Sequence, residues 1–282
     1  MNHSTILDKL LEKMSEFPGA VVAFSGGVDS AVVLATALQA LGASQVIAFT
    51  ADSPSLSRKE LAACRLFAQK LGVRHEVVCT HELDIEGYRK NDGDRCYFCK
   101  GDLYRQMSTL NQVQSGYVML NGANADDLGD WRPGMRAASE AGARSPLLEC
   151  GINKEGVRDL ARHLNLDVWD KPSSPCLASR IPYHTPVEQK ALAQIEAAEE
   201  FLKAEGFMDV RVRHYGTTAR VEVPPHQVAL LLNAEFHACM TDLFGLLGFQ
   251  NVEIDTEGLV SGKMNRALRN KAASLELSHA SV

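Results

Sequence analysis

Ile6, Leu7, Leu10, Leu11 and Met14 recur at helical spacing and stop before Pro18-Gly19, which predicts an amphipathic first helix. The period then changes. Residues 20–24 form a short apolar run of β type, residues 25–30 are rich in glycine and serine, and residues 31–41 return to a helical run that ends at Gly42. The alternation continues with strands over 45–50, 75–79 and 117–120. Helices fall over 57–71, opened by the capping box Ser57-Arg58-Lys59-Glu60, and over 98–110 and 153–164. Strands that are apolar on both faces and alternate with helices predict an α/β fold, a doubly wound parallel sheet covered on each side.

Residues 170–186 are rich in proline and serine, hold Cys176 and keep no period, so they are expected to form an active-site connection. A helix follows over 187–202. Met208, Val210 and Val212 then alternate with Asp209, Arg211 and Arg213, and Val221 and Val223 resume the pattern after a turn at 215–218, with Arg220 and Glu222 facing outward. Two helices within 227–247 and a strand at 251–255 complete a smaller α+β unit. The expected organisation is therefore a domain over 1–169, a connection over 170–186, a second domain over 187–271 and a frayed tail over 272–282.

The 282 residues agree with two domains of about 150 residues each. Acidic residues number 35 against 29 basic ones, a net charge of −6, so there is no broad positive field and nucleic acid is a disfavoured partner. The uncharged stretch 31–51 is broken by Gln39, Gly42, Ser44 and Gln45, which argues against a membrane span. The amino terminus has no secretion signal, and seven cysteines is an odd number, so a cytoplasmic location with free thiols is expected.

Ser25-Gly26-Gly27-Val28-Asp29-Ser30 stands between a predicted strand and a predicted helix, where backbone N–H groups and the helix dipole favour an anion. Neither a lysine-containing triphosphatase loop nor a GxGxxG dinucleotide fingerprint is present. In this context the motif resembles the pyrophosphatase loop of the ATP-pyrophosphatase superfamily, whose members cleave ATP between the α and β phosphates and adenylate a substrate. The resemblance implies an adenine-nucleotide-α-hydrolase-like sheet and an ATP site, with Mg²⁺. Ser25, Gly26, Gly27, Asp29 and Ser30 would hold pyrophosphate, and Thr50 and Asp52 would edge the adenosine crevice. Asn121-Gly122-Ala123-Asn124-Ala125-Asp126-Asp127 follows the fourth strand, and its carboxylates can either coordinate Mg²⁺ or cap the next helix.

Cys96 and Cys99 form a CxxC at a helix start, which would put both thiols on one side with lowered pKa and suits redox chemistry or cluster ligation. Cys176 lies in an irregular stretch that presents rather than buries it, and three thiolates can hold a [4Fe–4S] cluster with one iron open. Cys64, Cys79, Cys150 and Cys239 fall in regular periods and read as packing residues. Arg180, Arg211, Arg213, Arg220 and Glu222 form either an anion clamp or a solvated strand face with cross-strand ion pairs. Glu199 and Glu200 read as solvated carboxylates rather than metal ligands.

SGGVDS, RCYFCK, NGANADD, PCLASRIPY and RVRHYGTTARVEVP, in this order over nearly the whole chain, are similar to the LarE family of ATP-dependent sulfur transferases. That family adenylates a carboxylate of pyridinium-3,5-biscarboxylic acid mononucleotide and replaces oxygen by sulfur, in nickel-pincer cofactor biosynthesis. The resemblance implies that Cys176 bears the sulfur and that the arginines bind the substrate, in a homo-oligomer. Some members sacrifice the cysteine sulfur and keep dehydroalanine. Others add a CxxC and carry a cluster that delivers sulfide, and with Cys96 and Cys99 this chain resembles the latter. Two rivals stand beside this reading: a tRNA thiolase of the same superfamily, which the acidic charge disfavours, and a non-catalytic ATP-binding redox sensor.

Overall fold

The computed structural model describes residues 3–129, 132–172, 174–260 and 263; the tail expected over 272–282 lies outside them. The chain divides into two compact units, Met1–Tyr88 with Asp94–Pro175, and Arg89–Gly93 with Cys176–Val282.

In the first unit β1 (Ala20–Ala23), β2 (Val46–Asp52), β3 (Arg74–Cys79) and β4 (Val118–Leu120) form one sheet in the order β3-β2-β1-β4. All three pairings are parallel, with Ala20 opposite both Val46 and Val118, and Ile47 opposite Arg74. The helices longer than one turn are α1 (His3–Ser15), α2 (Val28–Leu41), α3 (Arg58–Lys70), α4 (Arg95–Ser108), α5 (Pro133–Glu140) and α6 (Lys154–His163).

Successive residues of β1 feed opposite cores. Ala20 and Val22 pack with Leu10, Met14, Leu34, Ala68 and Leu160 from α1, α2, α3 and α6. Val21 packs with Ile47, Phe49, Leu103, Met107 and Ala138, on the side of α4 and α5. This division follows from handedness. Right-handed crossovers from β1 to β2 to β3 leave α2 and α3 on one face, and the return past β1 to β4 puts α4 on the other. The direction of winding therefore reverses between β1 and β4, the switch point at whose carboxyl edge doubly wound sheets bind ligands.

The predicted cap is realised at α3, where the Ser57 hydroxyl accepts from the Glu60 N–H, and α6 is capped by Asn153, which accepts from the Gly156 N–H. Helix α4 begins at Arg95, earlier than its apolar period suggests, so Cys96 and Cys99 both lie on its first turns.

The second unit has α7 (Gln189–Ala204), β5 (Arg211–Tyr215), β6 (Thr218–Glu222), α8 (Ala234–Leu246) and β7 (Asn251–Ile254), with strand order β5-β6-β7. β5 and β6 are antiparallel, and β6 and β7 are parallel. Val212, Ala219, Val221, Met240, Phe244 and Phe249 fill its core with Ala198 and Leu202 of α7. Residues 89–93 belong to this unit because the buried Asn91, at φ +56°, donates its side-chain amide to the carbonyls of Pro182 (2.8 Å) and Thr185 (2.9 Å).

Several expectations are corrected. Met208 is 74% exposed, because the strand starts only at Arg211 and the alternation read at 208 has no ladder to hold it. Cys79 and Cys239 are exposed at the end of β3 and on the outer side of α8, whereas Cys64 and Cys150 are buried as expected. Arg213 and Glu222 are not on a solvated face: each is 2% exposed. They tolerate burial because they pair with one another and Arg213 also reaches the Ser179 carbonyl.

Candidate active site

Residues 25–30 leave β1 and enter α2 at Gly27, whose extended backbone (φ −82°, ψ 159°) caps the helix without a side-chain cap. The first-turn N–H groups of α2 therefore have no capping side chain to satisfy them, and they are left to an anion. Gly26 has φ +72°, and a Cβ there would lie 2.8 Å from the Cys64 sulfur, so conformation and space both require glycine. Ser30 bridges the loop: its hydroxyl donates to the Gly27 carbonyl (3.0 Å), accepts from the Ser25 N–H (3.3 Å) and meets the Ser25 hydroxyl at 3.2 Å.

The loop after β4 closes on this turn. A Cβ on Gly122 would come within 2.8 Å of the Ser30 nitrogen, so glycine is what lets the two loops touch. Asn124 donates its amide to Asp29 (3.0 Å), and the Lys154 ammonium pairs with the other Asp29 oxygen. Asp127 accepts from the Asn124 N–H (3.0 Å) and pairs with Arg132 (2.8 Å). Asp126 accepts from the Lys154 N–H at the start of α6 (2.9 Å), not from α5, the helix that follows this loop. Thr50 is buried and does not line a crevice: it donates to the Phe24 carbonyl (2.7 Å) and meets His75 Nε2 at 2.9 Å. Asp52 pairs with Arg58. Burial pushes the His75 imidazole below its ordinary pKa, and burial pushes the Cys64 thiol up to about 11.

In the second unit the predicted arginines meet a charged layer. Arg180 donates from Nε (2.7 Å) and Nη2 (3.0 Å) to the two oxygens of Glu199, a bidentate pair, and from Nη1 to the Cys176 carbonyl (3.2 Å). Glu199, read as solvated, is 2% exposed and also accepts from the Val212 N–H (3.1 Å), closing the free edge of β5. Arg213 donates to Glu222 (2.7 Å) and to the Ser179 carbonyl (2.9 Å). Arg220 pairs instead with Glu253 at the surface.

Arg211 differs from these. It is half-buried, stands opposite Glu222 in the ladder, and among the described residues makes no side-chain hydrogen bond and no ion pair. Burial, then the nearby Arg213 and Arg180, hold its guanidinium below the usual arginine value. Three guanidiniums thus face two buried carboxylates, with the partly exposed Lys203 beside Glu199, and the excess is positive. Cys176 is exposed, and its backbone is held by Arg180 and by the Ser179 N–H.

Cys96 is exposed and Cys99 half-buried on α4. Their sulfurs have the donor chemistry of a cluster, yet among the described residues no three His, Cys, Asp or Glu side chains are gathered as a metal-binding group. Residues to which the sequence reading gave no role are Lys154 and Lys171, which approach the loop from far along the chain. No local spacing marks them, although a lysine beginning a capped helix and one beside the cysteine connection were visible.

A family model described as NAD synthase matches residues 2–93. The chain is 35% identical over 259 residues to the pyridinium-3,5-bisthiocarboxylic acid mononucleotide synthase of Lactiplantibacillus plantarum, covering 92% of this chain and 93% of that one. It is 40% identical over 267 residues to an uncharacterized protein of Synechocystis, covering 93% and 99%. Similarity to the NH(3)-dependent NAD(+) synthetase of Chlorobaculum tepidum is 27% over 164 residues, 56% of this chain and 58% of that one. Among solved structures, NMN synthetase from Francisella tularensis gives a TM-score of 0.47 at 18% identity, covering 62% of this chain and 76% of that one.

Proposed function

Since the chain belongs to the family of pyridinium-3,5-bisthiocarboxylic acid mononucleotide synthases, we propose that it adenylates a carboxylate of pyridinium-3,5-biscarboxylic acid mononucleotide and converts it to a thiocarboxylate. The chain is an ATP-utilising enzyme of the pyrophosphatase-loop type. The observation that carries the reading is the uncapped turn 25–30 at the switch point, which offers backbone N–H groups to pyrophosphate while Ser25, Ser30 and Lys154 surround it.

A carboxylate resists thiolate attack until its oxygen becomes a good leaving group. In the first step it attacks the α phosphorus, the bond to the β-phosphate oxygen breaks, and pyrophosphate departs into the loop. In the second, sulfur attacks the acyl carbon and AMP leaves with the electron pair of the C–O bond. Attack by sulfide gives the thiocarboxylate directly, whereas attack by the Cys176 thiolate gives a thioester from which loss of the Cα proton and cleavage of the Cβ–S bond release the thiocarboxylate and leave dehydroalanine. Asp29 suits Mg²⁺, because both its oxygens are held by movable side-chain donors and Mg²⁺ typically binds one or two carboxylates together with phosphates. The ion would neutralise charge on the departing pyrophosphate.

Arg211, whose guanidinium is uncommitted, is assigned to the substrate's phosphate or second carboxylate. Arg180, Arg213 and Glu222 form the frame that holds it. Cys176 supplies or presents the sulfur, with residues 170–186 as the active-site connection between domains over 1–169 and 187–271. Cys96 and Cys99 are candidate ligands of a [4Fe–4S] cluster, through which no step is drawn.

The proposal includes a cytoplasmic location and a homo-oligomer. Leu230, Leu232 and Leu246 are exposed on the second unit, and among the described residues no helix is long and apolar enough to cross a membrane. The test is anaerobic incubation with ATP, Mg²⁺ and the biscarboxylated nucleotide. AMP, pyrophosphate and thiocarboxylate are expected, and their absence overturns the reading. Iron and sulfide content of the wild type and of Cys96→Ala reads the cluster. Intact mass after turnover reads the sulfur source, since a sacrificed cysteine leaves the protein lighter by one H₂S.

A further inference from the structure

An anion-binding turn works only if its carbonyl oxygens are kept away from the anion, because each carries negative partial charge that would cancel the N–H array. Three carbonyls in or just before this turn have a side-chain donor. Phe24 is held by the Thr50 hydroxyl at 2.7 Å, Gly26 by the Lys171 ammonium at 3.1 Å, and Gly27 by the Ser30 hydroxyl at 3.0 Å. Two of these donors are neutral and belong to the sheet or the turn itself. The third is a charged side chain from far along the sequence, and nothing said so far about the reaction uses it.

We infer that Lys171 is a positioning residue of the pyrophosphate turn, fixing the Gly26 carbonyl so that the peptide beyond it presents its N–H to the anion. The geometry supports a dedicated role. The Lys171 ammonium also meets Glu60 at 2.6 Å, and Glu60 sits at the capping-box position of α3, where its carboxylate goes to this lysine. The lysine's charge is thereby compensated while one N–H remains for Gly26. A Cβ on Gly26 would meet the Cys64 sulfur at 2.8 Å, so the space on that side of the residue is filled, while the ammonium holds its carbonyl. At Gly26 the backbone is left-handed, a conformation whose flip would turn the carbonyl outward, and the lysine opposes that flip. Lys171 also lies just before Cys176 in sequence, so a correctly formed turn and the start of the cysteine-bearing connection depend on one side chain.

The inference rests on the proposed pyrophosphate site but not on the sulfur chemistry. Full-length wild type, Lys171→Met and Lys171→Arg are titrated with inorganic pyrophosphate and, separately, with AMP, which lacks the β and γ phosphates. Lys171→Met is expected to bind pyrophosphate about 10-fold more weakly, of the order set by one hydrogen bond to a charged group, with AMP affinity unchanged. Lys171→Arg is expected to recover most of the loss. Equal pyrophosphate affinity in wild type and Lys171→Met, a parallel loss of AMP affinity, or no recovery in Lys171→Arg overturns the inference, as does a wild type that binds no pyrophosphate. If Lys171→Met does not fold, Lys171→Gln, which keeps a donor without the charge, must show weakened pyrophosphate binding with AMP unaffected. A wild type that binds pyrophosphate through Lys171 yet forms no thiocarboxylate would sink the proposed reaction and leave this inference standing.

Discussion

The pyrophosphate turn and the arginine layer both prepare for anions, and they are built by opposite means. The turn is contiguous, made from backbone N–H groups, two glycines and two hydroxyls within residues 25–30, with Asp29 as its charged member and Lys154 and Lys171 reaching it from outside. The layer of the second unit is assembled from distant side chains, and full charges are buried in pairs, Arg180 with Glu199 and Arg213 with Glu222. Backbone donors cost little to hold in place once the chain has turned. Buried guanidiniums and carboxylates find their only opposite charges close by in one another, apart from Lys203 beside Glu199, so losing one leaves its partner's charge poorly compensated. The first site should therefore lose function before stability, and the second should lose both together.

The largest expected effect separates chemistry from binding. Cys176→Ser should abolish thiocarboxylate formation while ATP affinity and melting temperature stay at wild-type values, because the exposed thiol contributes no packing. Residual thiocarboxylate would mean that another sulfur serves.

Stability of the second unit comes next. Glu222→Ala should lower unfolding free energy by about 3–5 kcal/mol, the usual effect of stranding one member of a buried pair. The double variant Arg213→Met with Glu222→Leu should recover much of that loss in urea titrations. If the single change is neutral, the layer is not the buried ionic frame described here.

On the turn, Gly122→Ala pushes a methyl to 2.8 Å from the Ser30 nitrogen. It should cost about 1–3 kcal/mol as an overpacking change and weaken ATP binding by more than its effect on melting suggests. Calorimetry with ATP beside a melting curve gives both numbers.

Alkaline stability provides a smaller effect. The Cys64 thiol, ordinarily near 9.0, is raised to about 11 in the fold by burial. A raised pKa leaves its stabilising contribution intact below the unfolded value, so stability should be flat to about pH 9 and fall between pH 9 and 11, by roughly 2–3 kcal/mol at most. Cys64→Ala should remove that slope. In the native protein at pH 8, maleimide should label Cys79, Cys96, Cys176 and Cys239, and reach Cys64 and Cys150 only on unfolding.

The same contrast explains what could be read from the chain. The strand-turn-helix at residues 20–41 and the Ser57 and Asn153 caps are local, and local patterns are written in consecutive letters. The alternation at 210–223 was also legible, with Val212 and Val221 inward, but period alone cannot say what covers the other side of a sheet. It puts Arg213 and Glu222 on the polar side and leaves an anion clamp and a solvated face both open, whereas in the fold residues 177–180 lie over them and Arg213 bonds the Ser179 carbonyl. Glu199 looked like one of two ordinary helix carboxylates, and only the folded chain distinguishes it from Glu200. Lys154 and Lys171 stand 125 and 145 positions from their loop partners Asp29 and Gly26, beyond any spacing rule.

The clip formed by Asn91 has a consequence for how such a protein can be taken apart. Because residues 89–93 fold with the later unit while residues on either side fold with the earlier one, the backbone changes allegiance three times between its ends. A single cut near residue 175 would separate Asn91 from Pro182 and Thr185, whose carbonyls it holds. Shuffling halves between homologous genes at that breakpoint would draw this amide and its acceptors from different parents, so they stay together only when no crossover, or a second one, falls between them.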